Sequence, residues 1–476
     1  MFVIVLQMTS ETGISFLTTN AKKAWPQWRA LSFKERKKYL KRFQSLFASQ
    51  IDDICQLMSE ENGKPRFEAL TAEVLSVIQL INWAVKHAPK ILKKKKIKLS
   101  LLKYKKSYLL FEPLGTVAII SPWNYPLSIP VGEAVMAMMA GNCVIVKASE
   151  ITPKIMKKMA ELFEQSGLPS GVFQLALGGP EIGQELVASP YIDKIIFTGS
   201  VATGKKVLKQ AADTLKPVVL ELGGCDPMIV CSDADVERAA SGAVWGCFMN
   251  AGQTCASVER VYVHHNIADS FIEKVVEKTK KLRVGKDKSF DIDVGAITYP
   301  PQFKIYESQM QDAIFKGAKI LEGETSFHSP YVKPTVLLGT NDSMKIIQDE
   351  TFGPFLCIQV VYDEEEAVRL SNENQYGLCA SVWSKNLDKA RHLARDLEAG
   401  TVVINDCSFT HALSETPWGG RKMSGMGRVH SEFGFYELVH MKHINEERGW
   451  FKPLWWYPYT ERKYKLFKFL AKLLSL

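Results

Sequence analysis

The chain lacks the cysteine patterns of a disulfide-bonded or zinc-ribbon protein. It has nine cysteines, an odd number at irregular spacing, and no two of them form a CxxC pair. Disulfide frameworks and zinc ribbons need paired, regularly spaced cysteines. The cysteine usage therefore favours a reducing, cytoplasmic compartment, and we expect no metal site.

Long apolar runs are also missing. No stretch of about 18 uninterrupted apolar residues occurs, so the sequence predicts no helix that spans a membrane. The apolar run after Met1 is too short for the core of a signal peptide, and no basic region precedes it. Either Met1 or Met8 could be the first residue of the translated chain.

Nucleic-acid-binding signatures are absent, although the formal net charge is +9. Much of this charge lies in Lys93–Lys96 with Lys98 and in the C-terminal tail. A basic run most often forms a solvated face, and the functional alternatives are an anionic membrane surface or nucleic acid. No zinc-finger, helix-turn-helix or RNA-binding aromatic pattern accompanies these runs, so we expect no nucleic-acid partner.

What is present is a soluble α/β composition. The 476 residues are 46% apolar and 23% charged, which favours two large domains. Residues 17–90 have helical periodicity, with Ser32 as a capped helix start, and residues 97–112 alternate like a ribbon. From residue 116 to 222 short β-branched strands alternate with helices, which predicts a doubly wound nucleotide-binding sheet. A second α/β unit follows at 226–425.

Two segments end predicted strands where a nucleotide would bind. Gly199, Ser200 and Gly204 lie in a strand-to-helix turn that suits a phosphate, although the turn is not GxGxxG and an ordinary turn fits equally well. Lys147 and Glu150 follow another strand. They suit ribose hydroxyl groups, and a surface ion pair is the alternative.

Three residues indicate covalent catalysis. Cys255 lies in a Gly-rich turn, Glu221 ends a strand before two glycines, and Asn124 follows a strand between prolines. A thiol attacks an electrophile, a carboxylate activates water, and an amide donates to an oxyanion. For Cys255 the alternative is a small buried side chain, and for Asn124 an ordinary turn.

Taken together, the motifs resemble the aldehyde dehydrogenase superfamily over residues 15–445. Glu221 and Cys255 are 34 positions apart, as in the family pattern. The segments that carry the resemblance, in chain order, are Glu61–Pro65, Pro122–Pro126, Lys147–Glu150, Phe197–Ser200 with Gly204, Glu221–Gly224, Asn250–Cys255, Glu350–Pro354 and Pro417–Gly425.

The resemblance implies a role for each matching position. Cys255 is the expected nucleophile that forms a thiohemiacetal and then a thioester, Glu221 the base for hydrolysis, and Asn124 the oxyanion donor together with the Cys255 backbone N–H. Lys147 and Glu150 match the family positions that bind the adenosine ribose. Ser200 matches the turn that binds the diphosphate, and Glu350 with Phe352 matches the contact with the nicotinamide ribose. The full set of expected cofactor contacts is Pro122, Trp123, Lys147, Ser149, Glu150, Gly199, Ser200, Gly204, Leu222, Glu350 and Phe352.

The resemblance also implies the architecture. A Rossmann-type NAD-binding domain is expected at 1–96 and 114–223, and a catalytic domain at 224–425. Oligomerisation elements are expected at 97–113 and 426–445, in a homodimer or homotetramer. We expect NAD rather than NADP, because the Glu150 carboxylate would repel a 2′-phosphate.

The expected substrate is a hydrophobic aliphatic or aromatic aldehyde. By matching, Tyr125, Ile129, Thr254 and Trp418 line the substrate tunnel, and Gly132 leaves space in it. Succinate semialdehyde is an alternative if Arg260 or Arg421 anchors a carboxylate. A CoA-acylating enzyme and a non-catalytic membrane-associated scaffold are further alternatives. Glu221 disfavours the first, because a thiol acceptor needs no base that activates water, and the pair of Cys255 and Glu221 disfavours the second.

The tail, residues 446–476, is aromatic and then basic. Lys465, Lys468 and Lys472 fall on one face of a helical wheel, opposite Phe467, Leu470 and Leu474. Such a helix suits peripheral contact with a membrane through 450–476, and packing on a partner subunit or over the substrate entrance is the alternative.

Overall fold

A computed structural model describes residues 5–7, 11–447, 449 and 452–475. Met1 and Met8, the candidate starts, and Trp450 and Phe451 of the tail lie outside the described residues. The chain divides into two compact units: Met1–Leu92 with Pro113–His440, and Lys93–Glu112 with Met441–Leu476. The division into cofactor-binding, catalytic and oligomerisation domains stays a prediction.

The described residues form seventeen strands. These are β1 (Val5–Gln7), β2 (Lys95–Ile97), β3 (Lys106–Pro113), β4 (Thr116–Ile120), β5 (Cys143–Lys147), β6 (Phe173–Leu177), β7 (Lys194–Thr198), β8 (Val218–Glu221), β9 (Asp226–Val230), β10 (Val258–His264), β11 (Lys319–Glu322), β12 (Thr335–Leu338), β13 (Phe355–Val361), β14 (Cys379–Trp383), β15 (Thr401–Ile404), β16 (Gly425–Met426) and β17 (Val439–Glu446).

Helices connect and cover these strands. They are α1 (Glu11–Ala30), α2 (Phe33–Ala48), α3 (Ile51–Asn62), α4 (Arg66–Glu68), α5 (Leu75–Ile91), α6 (Ser128–Ala140), α7 (Pro153–Gln165), α8 (Pro180–Ala188), α9 (Val201–Ala212), α10 (Val236–Phe248), α11 (Ala268–Lys280), α12 (Phe303–Phe315), α13 (Lys345–Gln348), α14 (Glu364–Glu373), α15 (Leu387–Asp396), α16 (Ser431–Glu437) and α17 (Glu461–Leu474). A π-helical segment, Ala69–Val74, joins α4 to α5.

The first sheet has the order β1-β6-β5-β4-β7-β8-β16. Its strands run parallel except β16, which pairs antiparallel with β8. Strands β4, β5 and β6 are buried along their length, as expected for apolar strands covered by helices on both faces. The order β6-β5-β4-β7-β8 confirms the predicted doubly wound sheet, whose direction of winding reverses between β4 and β7.

The second sheet has the order β11-β12-β13-β10-β9-β14-β15 and is parallel except for β11 with β12. It is the α/β unit that the sequence predicted after residue 226. Helices α10, α11 and α12 pack on it around a core that includes Phe271, Tyr306 and Phe355. The segment before β10, which contains Cys255, lies at the edge of this packed scaffold.

The second unit contains a small sheet of order β17-β3-β2. Strands β2 and β3 pair antiparallel, which confirms the predicted ribbon. Helix α17 begins at the Thr460 N-cap, and none of its described residues is buried. Whether these elements join subunits stays a prediction.

The N-terminal helices pack on the first sheet through aromatic side chains. Ser32 and Glu35 form the predicted capping box at the start of α2. Phe43 of α2 stacks on Phe163 of α7 with ring centroids 3.8 Å apart. One helical segment, Arg66–Ile91, is long and apolar enough by length and composition to cross a membrane, which departs from the expectation of no such helix. Over half of its most apolar window is buried inside the protein, where α5 packs on α2 and α6.

Candidate active site

The carboxyl ends of four parallel strands bring the predicted motifs to one edge of the first sheet. The Pro122–Asn124 turn follows β4, Lys147 ends β5, Gly199 and Ser200 follow β7, and Glu221 ends β8. In an open α/β sheet, ligands bind beyond these strand ends, near the point where the winding reverses.

A cleft of about 640 Å³ lies at this edge. All but one of the eleven predicted cofactor contacts line it: Pro122, Trp123, Lys147, Ser149, Glu150, Gly199, Ser200, Leu222, Glu350 and Phe352. Gly204 is the exception. A Cβ at Gly204 would meet the Leu222 side chain at 2.6 Å, so this glycine lets α9 pack closely on a cleft residue instead of lining the cleft itself.

A second cavity of about 170 Å³ reaches Cys255 from another direction, and its walls are mostly apolar and aromatic. Cys255, Glu221 and Leu222 line both the cavity and the cleft. A thiol and a carboxyl group therefore lie where two ligand-sized spaces meet, as a reaction between two bound molecules requires.

Cys255 differs from the other eight cysteines, which are all buried, because its side chain is only partly buried. The turn before it is tightly bent: Asn250, Ala251 and Gly252 have φ values of 51°, 55° and 74°. A Cβ at Gly252 would lie 2.1 Å from the Gly353 carbonyl oxygen. Only glycine fits there, so the Cys255 turn is held against the loop that contains Glu350 and Phe352.

The surroundings of Cys255 favour the protonated thiol over the thiolate. Burial raises its pKa, and the nearby carboxyl groups of Glu350, Asp226 and Glu221 raise it further. A hydrogen bond with the Ala256 backbone lowers it only in part. Attack by this sulfur therefore requires a base that takes the proton.

Glu221 is the carboxyl group placed to act as a general base in this site, since it lines both the cavity and the cleft. It is 5% exposed, and neither of its oxygens has a hydrogen-bond partner among the described residues. Burial and the nearby Glu133 carboxyl raise its pKa well above the ordinary value, and Arg428 offsets this only in part. A buried carboxyl group without partners is costly, and such groups cluster at functional sites.

The glycines after Glu221 make room for Glu350. A Cβ at Gly223 would lie 2.1 Å from the Glu350 carboxyl group, and the Gly224 N–H donates to that group at 3.1 Å. Burial and repulsion from Glu259 raise the pKa of Glu350 to about 8. The Glu-Leu-Gly-Gly segment thus places two carboxyl groups on either side of the thiol.

Asn124 is buried beside the Cys255 turn. Its side-chain nitrogen donates to the Gln253 carbonyl at 3.0 Å, two residues before Cys255. This bond uses one of two N–H groups and leaves the second for an oxyanion. Among the described residues, no acceptor is paired with the Cys255 backbone N–H, so it is a second donor.

Residues that fit a dinucleotide line the cleft. Ser200 caps α9 by accepting from the Thr203 N–H, so the positive end of the helix faces the cleft, as a diphosphate requires. Lys147 pairs with Glu150 at 2.6 Å. Burial raises the pKa of Glu150, but the hydrogen bond from Lys147, a backbone hydrogen bond and the charge of Lys147 together outweigh burial, and the net pKa is lowered. Glu150 is therefore an ionised acceptor suited to ribose hydroxyl groups.

The substrate residues follow the prediction with one correction. Tyr125, Ile129, Thr254 and Trp418 line the second cavity. Gly132 does not, and the prediction that it leaves space there is wrong: a Cβ at Gly132 would meet the Leu80 side chain at 2.8 Å. Gly132 instead allows α6 to pack closely on α5.

Neither arginine considered as a carboxylate anchor lines the cavity. The Arg260 guanidinium is buried and donates to the Cys225 carbonyl at 2.8 Å and to the Tyr262 hydroxyl at 3.0 Å. Arg421 is exposed and contributes nothing to the wall. Within the described part of the chain, no Lys or Arg lines this cavity.

Sequence reasoning missed two titratable residues of the cavity wall. Glu133 lies on α6, a helix with every residue buried, and burial raises the pKa of Glu133 to about 8. A charged residue inside an apolar helix was the available signal. Burial lowers the pKa of His411 to about 4, so it is neutral, and no sequence pattern marked it.

A three-residue cluster outside the site has ligand atoms at metal-binding distance. The side chains of Cys231, Asp233 and Glu364 lie within 4.8 Å of one another. Lys389 pairs with Asp233 and with Glu364, each at 3.0 Å. Its ammonium group supplies the positive charge that a cation would bring.

Comparison with known proteins agrees with this geometry. Residues 4–444 match the aldehyde dehydrogenase family. The chain is 37% identical to a 4,4'-diapolycopene aldehyde oxidase of Methylomonas sp, over 94% of this chain and 85% of the relative. It is 36% identical to a peroxisomal aminoaldehyde dehydrogenase 1 of Pisum sativum, over 90% and 86%. A solved NAD-dependent aldehyde dehydrogenase from Sinorhizobium meliloti aligns with TM-score 0.89 at 32% identity, over 94% and 89% of the two chains.

The Glu133 carboxyl group is expected to set the pH range in which Glu221 works. A base acts when ionised, so turnover rises as pH rises through the pKa of Glu221, and a raised pKa moves this limb to higher pH than for an ordinary glutamate. Glu133→Gln removes the repulsion that helps raise the pKa. The rising limb of the profile of kcat against pH should therefore move to lower pH.

The control is Glu161→Gln, which alters an exposed carboxyl group on α7. Its profile should match that of the wild type. A Glu133→Gln profile that stays in place or moves to higher pH contradicts the coupling.

Proposed function

Because the chain belongs to the aldehyde dehydrogenase family, we propose that it oxidises hydrophobic aldehydes to carboxylic acids with NAD. The observation that carries this proposal is the position of Cys255 and Glu221 at the meeting of the two cavities. The chemistry divides into formation and hydrolysis of a thioester.

The first half begins when Cys255 gives its proton to solvent water and its sulfur attacks the aldehyde carbon. The C–S bond forms as the carbonyl π electrons move to oxygen, which gives a thiohemiacetal anion. The free N–H of Asn124 and the Cys255 backbone N–H donate to this oxygen. Donors held in place before the reaction stabilise the charge without reorganisation.

A dinucleotide in the cleft would supply the hydride acceptor, and loss of hydride from the adduct carbon would leave a thioester on Cys255. The cleft residues that would hold it are the N-terminus of α9 for the diphosphate and Glu150 with Lys147 for the ribose. Glu350 and Phe352 would hold the nicotinamide end.

In the second half, Glu221 takes a proton from water as the water oxygen attacks the thioester carbon. The tetrahedral adduct collapses, the C–S bond breaks, and the acid leaves. The proton returned to sulfur restores the thiol. The raised pKa of Glu221 makes its carboxylate a stronger base than that of an ordinary glutamate, which suits this task.

The cavity wall supports an apolar substrate. Trp418, Tyr125 and Ile129 surround the path to Cys255, and His411 is neutral. Glu133, the carboxyl group on this wall, is mostly protonated at neutral pH, since its pKa is about 8. Such a wall, as the described residues form it, has no positive charge that could bind a substrate carboxylate, for example that of succinate semialdehyde.

The function is tested by NADH formation at 340 nm with the purified full chain. The panel runs from acetaldehyde to dodecanal and adds benzaldehyde, succinate semialdehyde, an aminoaldehyde and 4,4'-diapolycopene aldehyde. We expect kcat/KM to rise with chain length by about tenfold for each two methylene groups that enter the cavity, since each contributes about 0.8 kcal/mol. A preference for succinate semialdehyde contradicts the substrate proposal.

Two variants separate the halves of the reaction. Cys255→Ala should abolish NADH formation, whereas Glu221→Gln should give one burst of NADH per site and then turn over about 10²- to 10⁴-fold more slowly. Acyl-CoA in place of the acid when CoA is added would support the acylating alternative.

Cofactor choice is expected to depend on Glu150. A 2′-phosphate would place negative charge beside this ionised carboxylate, so kcat/KM with NAD should exceed that with NADP by about tenfold or more. Glu150→Gln should lower the ratio of kcat/KM with NAD to kcat/KM with NADP, because it raises kcat/KM with NADP. Glu161→Gln is the control and should leave the ratio unchanged. Higher kcat/KM of the wild type with NADP rules the assignment out.

We further propose that the second unit binds an anionic membrane surface, where hydrophobic aldehydes concentrate. Its 56 residues contain sixteen Lys and Arg and four Glu, a net charge of +12, whereas the whole chain carries +9. The remaining 420 residues therefore carry −3. The net positive charge of the chain is thus confined to the second unit, which favours an anionic surface over general solubility.

Apolar side chains of the tail support the same proposal. Trp456, Tyr457 and Tyr459 are 56%, 73% and 72% exposed and directly precede α17. The Lys463 ammonium group donates to the Trp456 and Pro458 carbonyls at 2.9 Å, which ties this aromatic segment to the helix. Exposed aromatic side chains beside a basic amphipathic helix suit the region of lipid headgroups.

Vesicle flotation tests the membrane proposal with the full chain. The wild type should float with vesicles containing anionic phosphatidylglycerol, less so at high salt, and not with pure phosphatidylcholine. Lys465→Glu with Lys468→Glu and Lys472→Glu should abolish flotation, since each lysine contributes about 1 kcal/mol. The control replaces three exposed lysines of α2 by glutamate, as Lys34→Glu with Lys37→Glu and Lys38→Glu, and it should float as the wild type does. Equal flotation of the two triple variants contradicts the proposal.

A further inference from the structure

The Glu61–Pro65 segment is part of the family resemblance, yet none of its residues lines either cavity. Its side chains contact the turns that build the site. Glu61 accepts from the Lys154 and Ile155 N–H groups at 2.6 and 2.9 Å, at the start of α7. Asn62 donates to the Trp123 carbonyl at 2.9 Å.

Lys64 reaches the oxyanion donor itself. Its side chain is fully buried, and its ammonium group donates to the Asn124 carbonyl at 2.9 Å. The same nitrogen pairs with Glu73 at 2.5 Å and lies 4.2 Å from the centre of the Tyr125 ring. One buried cation therefore contacts two consecutive residues of the site turn.

Glu73 holds the other end of that turn. One carboxyl oxygen pairs with Lys64, and the second accepts from the Leu127 and Ser128 N–H groups at 2.9 Å each. These N–H groups lie at the start of α6, where a carboxylate is favoured by the helix dipole. The ion pair thus spans the turn from Asn124 to Ser128.

The π-helical segment explains how Glu73 reaches this position. Residues 69–74 are wound with i to i+5 hydrogen bonds, which shifts Glu73 around the helix axis relative to a continuous α-helix. π-Helical turns are rare and occur frequently at functional sites. Thr71 and Ala72 of the same segment line the substrate cavity.

Burying an ion pair is a poor way to gain stability. Desolvation of both charges offsets their attraction, and apolar residues of similar volume often serve as well. Glu73 and Lys64 both have fully buried side chains, so the pair carries this cost in full. A role in placing atoms of the site accounts for the pair where stability does not.

We propose that Lys64 and Glu73 are positioning residues that fix the Asn124 peptide so that its amide faces the Cys255 adduct. The pair acts through Asn124 and touches neither substrate nor cofactor. This inference rests on the proposed aldehyde oxidation and adds to it the device that aligns the oxyanion donor.

The test replaces both charges at once, in the full chain, as Lys64→Met with Glu73→Met. No buried charge is left unpaired, so the protein should fold, and circular dichroism checks this. We expect kcat for the best aldehyde to fall by about 10- to 100-fold, since small misplacements of catalytic groups have effects of this order. KM for NAD should change far less than kcat, because neither Lys64 nor Glu73 lines the cleft.

A double-mutant cycle distinguishes positioning from a general structural effect. In an Asn124→Ala background the same double substitution should lower kcat by less than about threefold, because the Asn124 amide that the ion pair positions is absent. Lys194→Met with Glu437→Met is the matched control. Lys194 is also buried and paired, but at the far end of β7 from the site, so its loss should leave kcat near the wild-type value.

Two results would overturn the proposal: an unchanged kcat, or the same loss of kcat with and without Asn124. If the methionine pair fails to fold, Glu73→Gln keeps the shape and weakens the ion pair, and it is subject to the same cycle. Failure of the proposed function is distinct, since the wild type would then form no NADH from any aldehyde.

Discussion

Parallel strands in one sheet end at the same edge, and the whole site depends on this constraint. Asn124, Lys147, Ser200 and Glu221 are up to 97 positions apart in sequence, yet each follows or ends a strand of the first sheet. No residue needs a long or unusual loop to reach the others. The second sheet adds Cys255 from its own edge, and Gly223, which follows β8 of the first sheet, lets that strand end approach Glu350 in the loop before β13 of the second.

The second organising factor is the free energy cost of buried charge. Glu133, Glu221 and Glu350 surround the reaction path, and burial raises the pKa of each. Burial therefore disfavours charge on these three carboxyl groups, which suits a cavity for an apolar aldehyde. Negative charge develops on the aldehyde oxygen only as the reaction proceeds, and the Asn124 amide is already in place to donate a hydrogen bond to this oxygen.

The sequence was a good guide wherever the pattern itself has a physical cause. Runs of β-branched residues predicted β4 and β5 because strands covered on both faces must be apolar throughout. Ordered motifs identified Cys255, Glu221 and Asn124. Contacts between distant segments were not predictable in this way. Gly132 and Gly204 face neighbouring helices and side chains, Glu133 reaches the cavity only through the orientation of α6, and the partner of Lys64 depends on a π-helical turn that no periodicity marks.

The burial of eight cysteines has a practical meaning for chemical labelling. A thiol reagent needs access to sulfur, and in the folded chain only Cys255 offers it. One equivalent of a small alkylating agent would therefore be taken up per intact site, and the remaining sulfurs would become reactive only on unfolding. The protein thus contains its own internal standard: labelling before denaturation counts working sites, and labelling afterwards counts chains.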